Sequence, residues 1–150
     1  MPQSLSQIYL HIVFSTKQRK TFIDATIEPE LFNIIGGIIK KDGGVPFLIN
    51  GTEDHVHILS GFPKSMTLSD FIRNIKHGSS VWIKTKGNRY RDFAWQNGYG
   101  AFSVSSSKIK TVKDYIAKQK EHHKKETLEE ELAKFFKQYN LDYNSKYYWD

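Results

Sequence analysis

The chain has 150 residues, 39% of them hydrophobic and 25% charged, with a formal net charge of +6 and a pI near 9.4. That length and mix suit one globular domain with a real core and exclude a disordered chain. The absence of cysteine excludes disulfides and thiolate metal sites and makes a cytoplasmic location the simpler expectation; no apolar run approaches the ~20 residues that span a bilayer, so no membrane partner is expected.

The N-terminus, "MPQSLSQIYLHIVF", lacks the basic flank and small-residue cleavage site of a signal peptide. Within it "QIYLHIVFS" alternates, with Ile8, Leu10, Ile12 and Phe14 facing one way and Tyr9, His11 and Val13 the other, the signature of a strand with one apolar face. A basic loop, "TKQRKTF", follows. "EPELFNIIGGIIKKDGG" then predicts a helix: Pro29 suits its first turn, Leu31, Ile34, Ile35, Ile38 and Ile39 form a stripe, and Gly43 can stop it. Gly36 and Gly37 weaken that helix. "VPFLI" and "HVHILSGF" read as two strands joined by the turn-forming "NGTED". "TLSDFIRNIKHGSSVWIK" predicts a second helix, capped by Thr67, with Asp70 in its first turn and Leu68, Phe71, Ile72, Ile75 and Trp82 buried. A glycine-containing basic loop leads to a fourth strand, "AFSVS". "SKIKTVKDYIAKQKEHHKK" predicts a third helix and "TLEEELAKFFKQYN" a fourth, before an unpatterned aromatic tail, "LDYNSKYYWD".

The order βαββαβ predicts an α+β, ferredoxin-like or RRM-like fold. Right-handed crossovers place both crossover helices on one face of a four-stranded antiparallel sheet. The C-terminal helices are left free to cross the other face.

The pair His55 and His57 stands out against this plain background. Residues i and i+2 of a strand share a face, ~6.6 Å apart. Val56 and Ile58 point to the helices, so the two imidazoles lie on the open face, where they could hold one divalent ion. Alone, an HxH pair is more often two polar residues on a half-exposed strand. The third helix adds a second element: Ile109, Val112 and Ile116 form its apolar ridge, Tyr115 lies beside the ridge, and Gln119 follows at i+4. Docking of the ridge on the open face brings Tyr115 and Gln119 toward the histidines. His11 points to the same face and is an alternative ligand to Gln119. His122 and His123 either contact phosphate or form the basic end of a helix, the second being the plainer reading.

"DHVHIL" followed far downstream by "YIAKQKEHHKK", with "HIVFSTKQRK" after the first strand and "WQNGYGAFSVS" before the third helix, resembles the single-tyrosine transposases of the insertion-sequence 200/605 family, in the HUH superfamily. The resemblance runs from about Ile8 to His123. It implies a single transposase domain over 1–150, with a catalytic core at about 8–123 and a C-terminal helix and tail at 127–150. It also implies that His55, His57 and Gln119 bind Mg²⁺ or Mn²⁺ and that Tyr115 attacks a DNA phosphate. The partner implied is single-stranded DNA with hairpin ends, and the assembly a homodimer in which the tyrosine helix of one subunit serves the histidine pair of the other.

The positive balance agrees with a polyanionic partner. Lys17, Arg19 and Lys20 in the first loop, and Arg73 and Lys76 on the second helix, are candidates to track a DNA backbone, each equally able to be a solvated surface charge. Three other readings stay open. One is a non-catalytic single-strand-binding module of RRM-like fold, against which stands the missing K/R-G-F/Y-G/A-F-V-x-F/Y pattern. Another is a domesticated relative acting on chromosomal palindromic repeats. A zinc or iron hydrolase built on the HxH pair is a third, and it would not depend on Tyr115.

Overall fold

The computed structural model describes residues 3–138, and the aromatic tail lies outside them. The elements are β1 (Tyr9–Ser15), α1 (Glu28–Lys41), β2 (Val45–Thr52), β3 (His55–Gly61), α2 (Leu68–Lys84), β4 (Gly100–Val104), α3 (Ile109–Ala117), α4 (Gln119–His122) and α5 (Leu128–Gln138). The strands form one antiparallel sheet in the order β2-β3-β1-β4. This is the predicted α+β architecture, and no helix among the described residues is long and apolar enough to cross a membrane.

The period-two pattern of β1 decides the layering. Leu10, Ile12 and Phe14 join Val56 and Ile58 of β3 beneath Leu31, Ile35 and Ile39 of α1 and Phe71, Ile72 and Ile75 of α2, forming the main core. Thr67 caps α2 by accepting a hydrogen bond from the Asp70 amide at 3.1 Å. Gly43, at φ +92°, follows the end of α1 in the left-handed conformation that glycine adopts without strain. Within α2, Ile83 takes a fully buried place while Leu68 and Trp82 pack at the core's margin.

On the opposite face, Ile116 of α3 packs with Leu59 and Val104, with Ile109 and Val112 at the edge. Leu128, Leu132 and Phe136 of α5 cover Val13 and Phe102. The C-terminal helices therefore close the face that α1 and α2 leave open.

Two expectations need correction. The β2–β3 turn is only Glu53–Asp54, because Asn50, Gly51 and Thr52 belong to β2. Gly51 sits there for close approach: a Cβ on it would collide with the His55 carbonyl oxygen. The third helix is also not continuous. It stops after Ala117 and restarts at Gln119, with Lys118 at φ −100°, ψ 16° between the two segments.

Candidate active site

Strand β3 turns the side chains of His55 and His57 toward the second helical layer, and both are fully buried. His55 Nδ1 lies 2.7 Å from Asp54 Oδ1 and 2.8 Å from Thr52 Oγ1. His57 Nδ1 lies 2.8 Å from His11 Nε2, across the β1–β3 ladder. Both Nδ1 atoms are thus held by neighbours, which leaves each Nε2 directed away from the sheet. His11, the alternative ligand of the sequence reading, lies against the inward nitrogen of His57.

The outward nitrogens meet α4 and α5. His55 Nε2 is 3.3 Å from Gln119 Oε1. His57 Nε2 is 2.8 Å from Glu131 Oε1, yet neither atom has the alignment of a regular hydrogen bond. Glu131 Oε2 is 3.0 Å from His123 Nε2. Ligand atoms of His55, His57, His123 and Glu131 all lie within 4.8 Å of one another. Tyr115 completes the cluster, its ring 6.1 Å from that of His57 and 4.8 Å from that of His122. A cavity of about 560 Å³ opens beside it, lined by His122, Glu126, Glu131 and Lys134 among others.

The electrostatics follow from burial. It pushes His57 down to about 4 and His11 to about 3, so both imidazoles are neutral at physiological pH. Burial opposes the charge on Glu131, but the hydrogen bond from His123 and the close approach of His57 hold its carboxyl far below the usual range. Asp54 is likewise held low, burial being outweighed by the hydrogen bonds of His55 and Thr52. Burial, then the charge and hydrogen bonding of Glu131, raise the Tyr115 phenol well above an ordinary tyrosine.

These residues fit a divalent cation. When Nδ1 of His55 donates to Asp54, its Nε2 carries a lone pair that faces the carboxamide oxygen of Gln119, another acceptor. Neutral His57 faces an ionised Glu131 in the same way, with both atoms buried and lacking a hydrogen-bond partner. A cation between such atoms satisfies them together. Imidazole nitrogens with carboxamide and carboxylate oxygens are a donor set suited to first-row divalent metals.

The structure thus brings together His55, His57, Gln119 and Tyr115, in one chain. It adds Glu131 and His123 to the cluster, which the sequence reading did not place there. His123 had been read as the basic end of a helix. Glu131 carried a legible signal: it stands three residues after Leu128 and beside Leu132, so an acid lies on the apolar stripe of α5.

The basic candidates are more dispersed. Lys17 and Lys20 are exposed, and Arg19 pairs with Glu129 of α5 at 2.7 Å. Arg73 is exposed beside Asp70, at 2.9 Å. Lys76 is partly withdrawn from solvent, which lowers it to about 8, and its Nζ donates to the carbonyls of Gln96, Asn97 and Gly98 at 2.6–3.2 Å.

Residues 4–119 match the family described as "Transposase IS200 like". Among solved structures, the chain is similar to a candidate transposase from Deinococcus radiodurans R1, with TM-score 0.61 and 20% identity over 79% of this chain and 98% of that one. It is also similar to a REP-associated tyrosine transposase bound to a REP hairpin, with TM-score 0.61 and 14% identity over 82% of this chain and 72% of that one. No curated protein matches the sequence. At these identities the two structures bear on the fold alone, which agrees with the sheet and helices described above. The family match spans all but the last segment of the site, from the N-terminal residues through the histidine pair and Tyr115 to Gln119, and by that match the chain belongs to the IS200-like transposase family.

Proposed function

We propose that this chain is a metal-dependent single-strand DNA transposase of the cytoplasm, which binds hairpins at element ends and cleaves and rejoins DNA through a 5′-phosphotyrosine link. The reading treats 1–150 as one transposase domain, with a catalytic core at about 8–123 and a C-terminal helix and tail at 127–150. The observation that carries it is the convergence of a phenol on two buried imidazoles and a carboxamide, Tyr115 on His55, His57 and Gln119. The hairpin held by the REP-associated neighbour supports hairpin DNA as the ligand class.

His55, His57 and Gln119 would hold Mg²⁺ or Mn²⁺, with His123 and Glu131 as further donors in reach. A bound divalent ion supplies charge withdrawal from the scissile phosphate and favours the phenolate. The rest falls to the chain. Helix α3 aims the Tyr115 oxygen in line with phosphorus. The new Tyr115 O–P bond replaces the P–O3′ bond; the phenolic proton passes to solvent, and the departing 3′ oxygen takes a proton from water. The phosphodiester character is kept in the covalent link, so rejoining by a 3′-hydroxyl needs no nucleotide triphosphate. Asp54 and His11 keep the two imidazoles in the tautomer that leaves Nε2 free. A homodimer that exchanged the α3–α4 segments between subunits would build the same site in trans from identical contacts.

Incubation of the protein with end-labelled hairpin oligonucleotides and Mn²⁺ tests this. The wild type should give a denaturant-resistant protein–DNA adduct. Tyr115→Phe should give none while binding the oligonucleotide within about threefold of wild type, because the hydroxyl acts only in the chemical step. Cleavage by the Phe variant would remove Tyr115 from its role, and binding without cleavage by the wild type would favour the non-catalytic module.

A further inference from the structure

The sequence from Tyr115 to Lys125 contains no glycine or proline, yet the helix breaks at Lys118. The cause lies on β2. Asn50 is the register partner of His57 and shares its face of the sheet. Its Nδ2 donates to the carbonyl of Ile116 at 2.9 Å and to that of Ala117 at 3.3 Å. In an unbroken helix the Ala117 carbonyl would accept from the Glu121 amide, but that amide donates to Lys118 at 3.0 Å. Asn50 satisfies the carbonyls that the break releases, as a side chain must where a helix ends inside a packed layer.

Lys120 fixes the other side of the break. Its Nζ donates to Asn50 Oδ1 at 3.0 Å, to Glu28 Oε1 at 2.7 Å and to the Gly51 carbonyl at 3.3 Å. One asparagine therefore ties the end of α3 to the start of α4 and ties both to the strand beside the histidines. Tyr115 directly precedes the clamped carbonyls of Ile116 and Ala117, and Gln119 lies two residues after them. A continuous helix would carry Gln119 onward along the axis of α3; the break at Lys118 redirects α4, and Gln119 reaches His55 from the redirected segment.

We propose that Asn50, braced by Lys120, is a positioning residue that sets Gln119 and Tyr115 against the histidine pair. This rests on the metal-dependent reading above. Asn50 acts through the geometry of the α3–α4 junction.

The test is Mn²⁺ binding by the purified full chain, measured by calorimetry or electron paramagnetic resonance, alongside the Mn²⁺ dependence of adduct formation. Asn50→Asp keeps the size of the side chain but removes the donor, and Asn50→Ala removes both. Each should weaken Mn²⁺ binding by roughly 10–100-fold, as loss of a residue that orients a ligand does, and should raise the Mn²⁺ needed for half-maximal adduct by the same factor. Metal-free oligonucleotide binding should stay within about twofold of wild type, a pattern that general loosening of the fold does not give. Lys120→Met, on a half-exposed side chain, should move Mn²⁺ affinity in the same direction by a smaller factor and carries the test if the Asn50 variants fail to fold. Mn²⁺ affinity unchanged in the folded variants overturns the proposal. A wild type that binds Mn²⁺ but forms no adduct would instead count against the transposase chemistry, leaving the clamp to be read from metal affinity alone.

Discussion

The two faces of the sheet are built on opposite rules. Beneath α1 and α2 the sheet presents leucine, isoleucine, valine and phenylalanine, and the polar groups it buries are matched: Ser79 Oγ donates to the Ile75 carbonyl at 2.6 Å and accepts from Trp95 Nε1 at 2.9 Å. Beneath α3, α4 and α5 the same strands present His11, His55 and His57, and the covering helices return Gln119 and Glu131. The buried side-chain atoms without a hydrogen-bond partner among the described residues, on His57, Gln119, His122 and Glu131, all lie on that second side. Burying such atoms unpaired costs about 1–3 kcal/mol each. Among the described residues, one face matches its buried side-chain polar atoms and serves stability, and the other leaves several unmatched, contacts that the ion of the proposed function would supply.

Neighbouring residues of β3 put that contrast to its hardest test. His57→Ala should abolish Mn²⁺-dependent adduct formation, a loss of several orders of magnitude. It should also erase the Mn²⁺-induced rise in melting temperature, which for wild type corresponds to about 2.7 kcal/mol at a hundredfold excess over Kd. Ile58→Ala, one residue on and facing the other way, should cost about 2–5 kcal/mol of stability as a core truncation. Denaturant unfolding would read that loss, while the Mn²⁺ affinity of the folded fraction stays at the wild-type value. If Ile58→Ala weakened the metal site as much as His57→Ala, the division between the faces would be wrong.

The dry face was the more legible of the two. Its strands and helices announce themselves through period-two and helical spacing, and the Thr67 cap and the Gly43 stop follow local rules. The histidine pair was equally plain, since alternation alone assigns it to the open face. What escaped the sequence reading depends on contacts between distant segments. Nothing local in "YIAKQKEHHKK" marks a break, because the group that stabilises it is Asn50, more than sixty residues away. Asn50-Gly51 itself looked like a turn, since that dipeptide usually is one; it is a strand end whose glycine admits the His55 carbonyl. Glu131 reaches the cluster through the packing of α5 on Val13 and Phe102, and His123 through its place at the end of α4, beyond the break. Lys76 shows the same limit from the other side: its charge suggested a phosphate, and its place in the fold gives it three carbonyls.

The smallest effect concerns pH, and it belongs to the histidine face. His11 and His57 titrate at about 3 and about 4 in the folded chain, against 6.5 when unfolded, because burial disfavours their charged forms. Between pH 6.5 and 4 the unfolded chain therefore binds protons that the folded chain refuses, and stability must fall as the pH falls through that window. Each imidazole contributes a slope of up to about 1.4 kcal/mol per pH unit. His123 works the other way: its interaction with Glu131 raises it, so its contribution is fully present below 6.5 and is lost as pH rises through its folded value. Glu131 and Asp54 are depressed, so their contributions are lost only as pH falls through their own low folded values, at the acid end of the window and beyond. Metal-free unfolding followed from pH 7 to pH 4.5 should thus show a net acid loss governed by two histidines of one face. His11→Gln keeps an amide beside His57 Nδ1 and removes one titrating ring, so the slope should fall to about half. A profile that stays flat for wild type would mean that the imidazoles accept protons in the fold, and a neutral pair ready for a cation would then have to be abandoned.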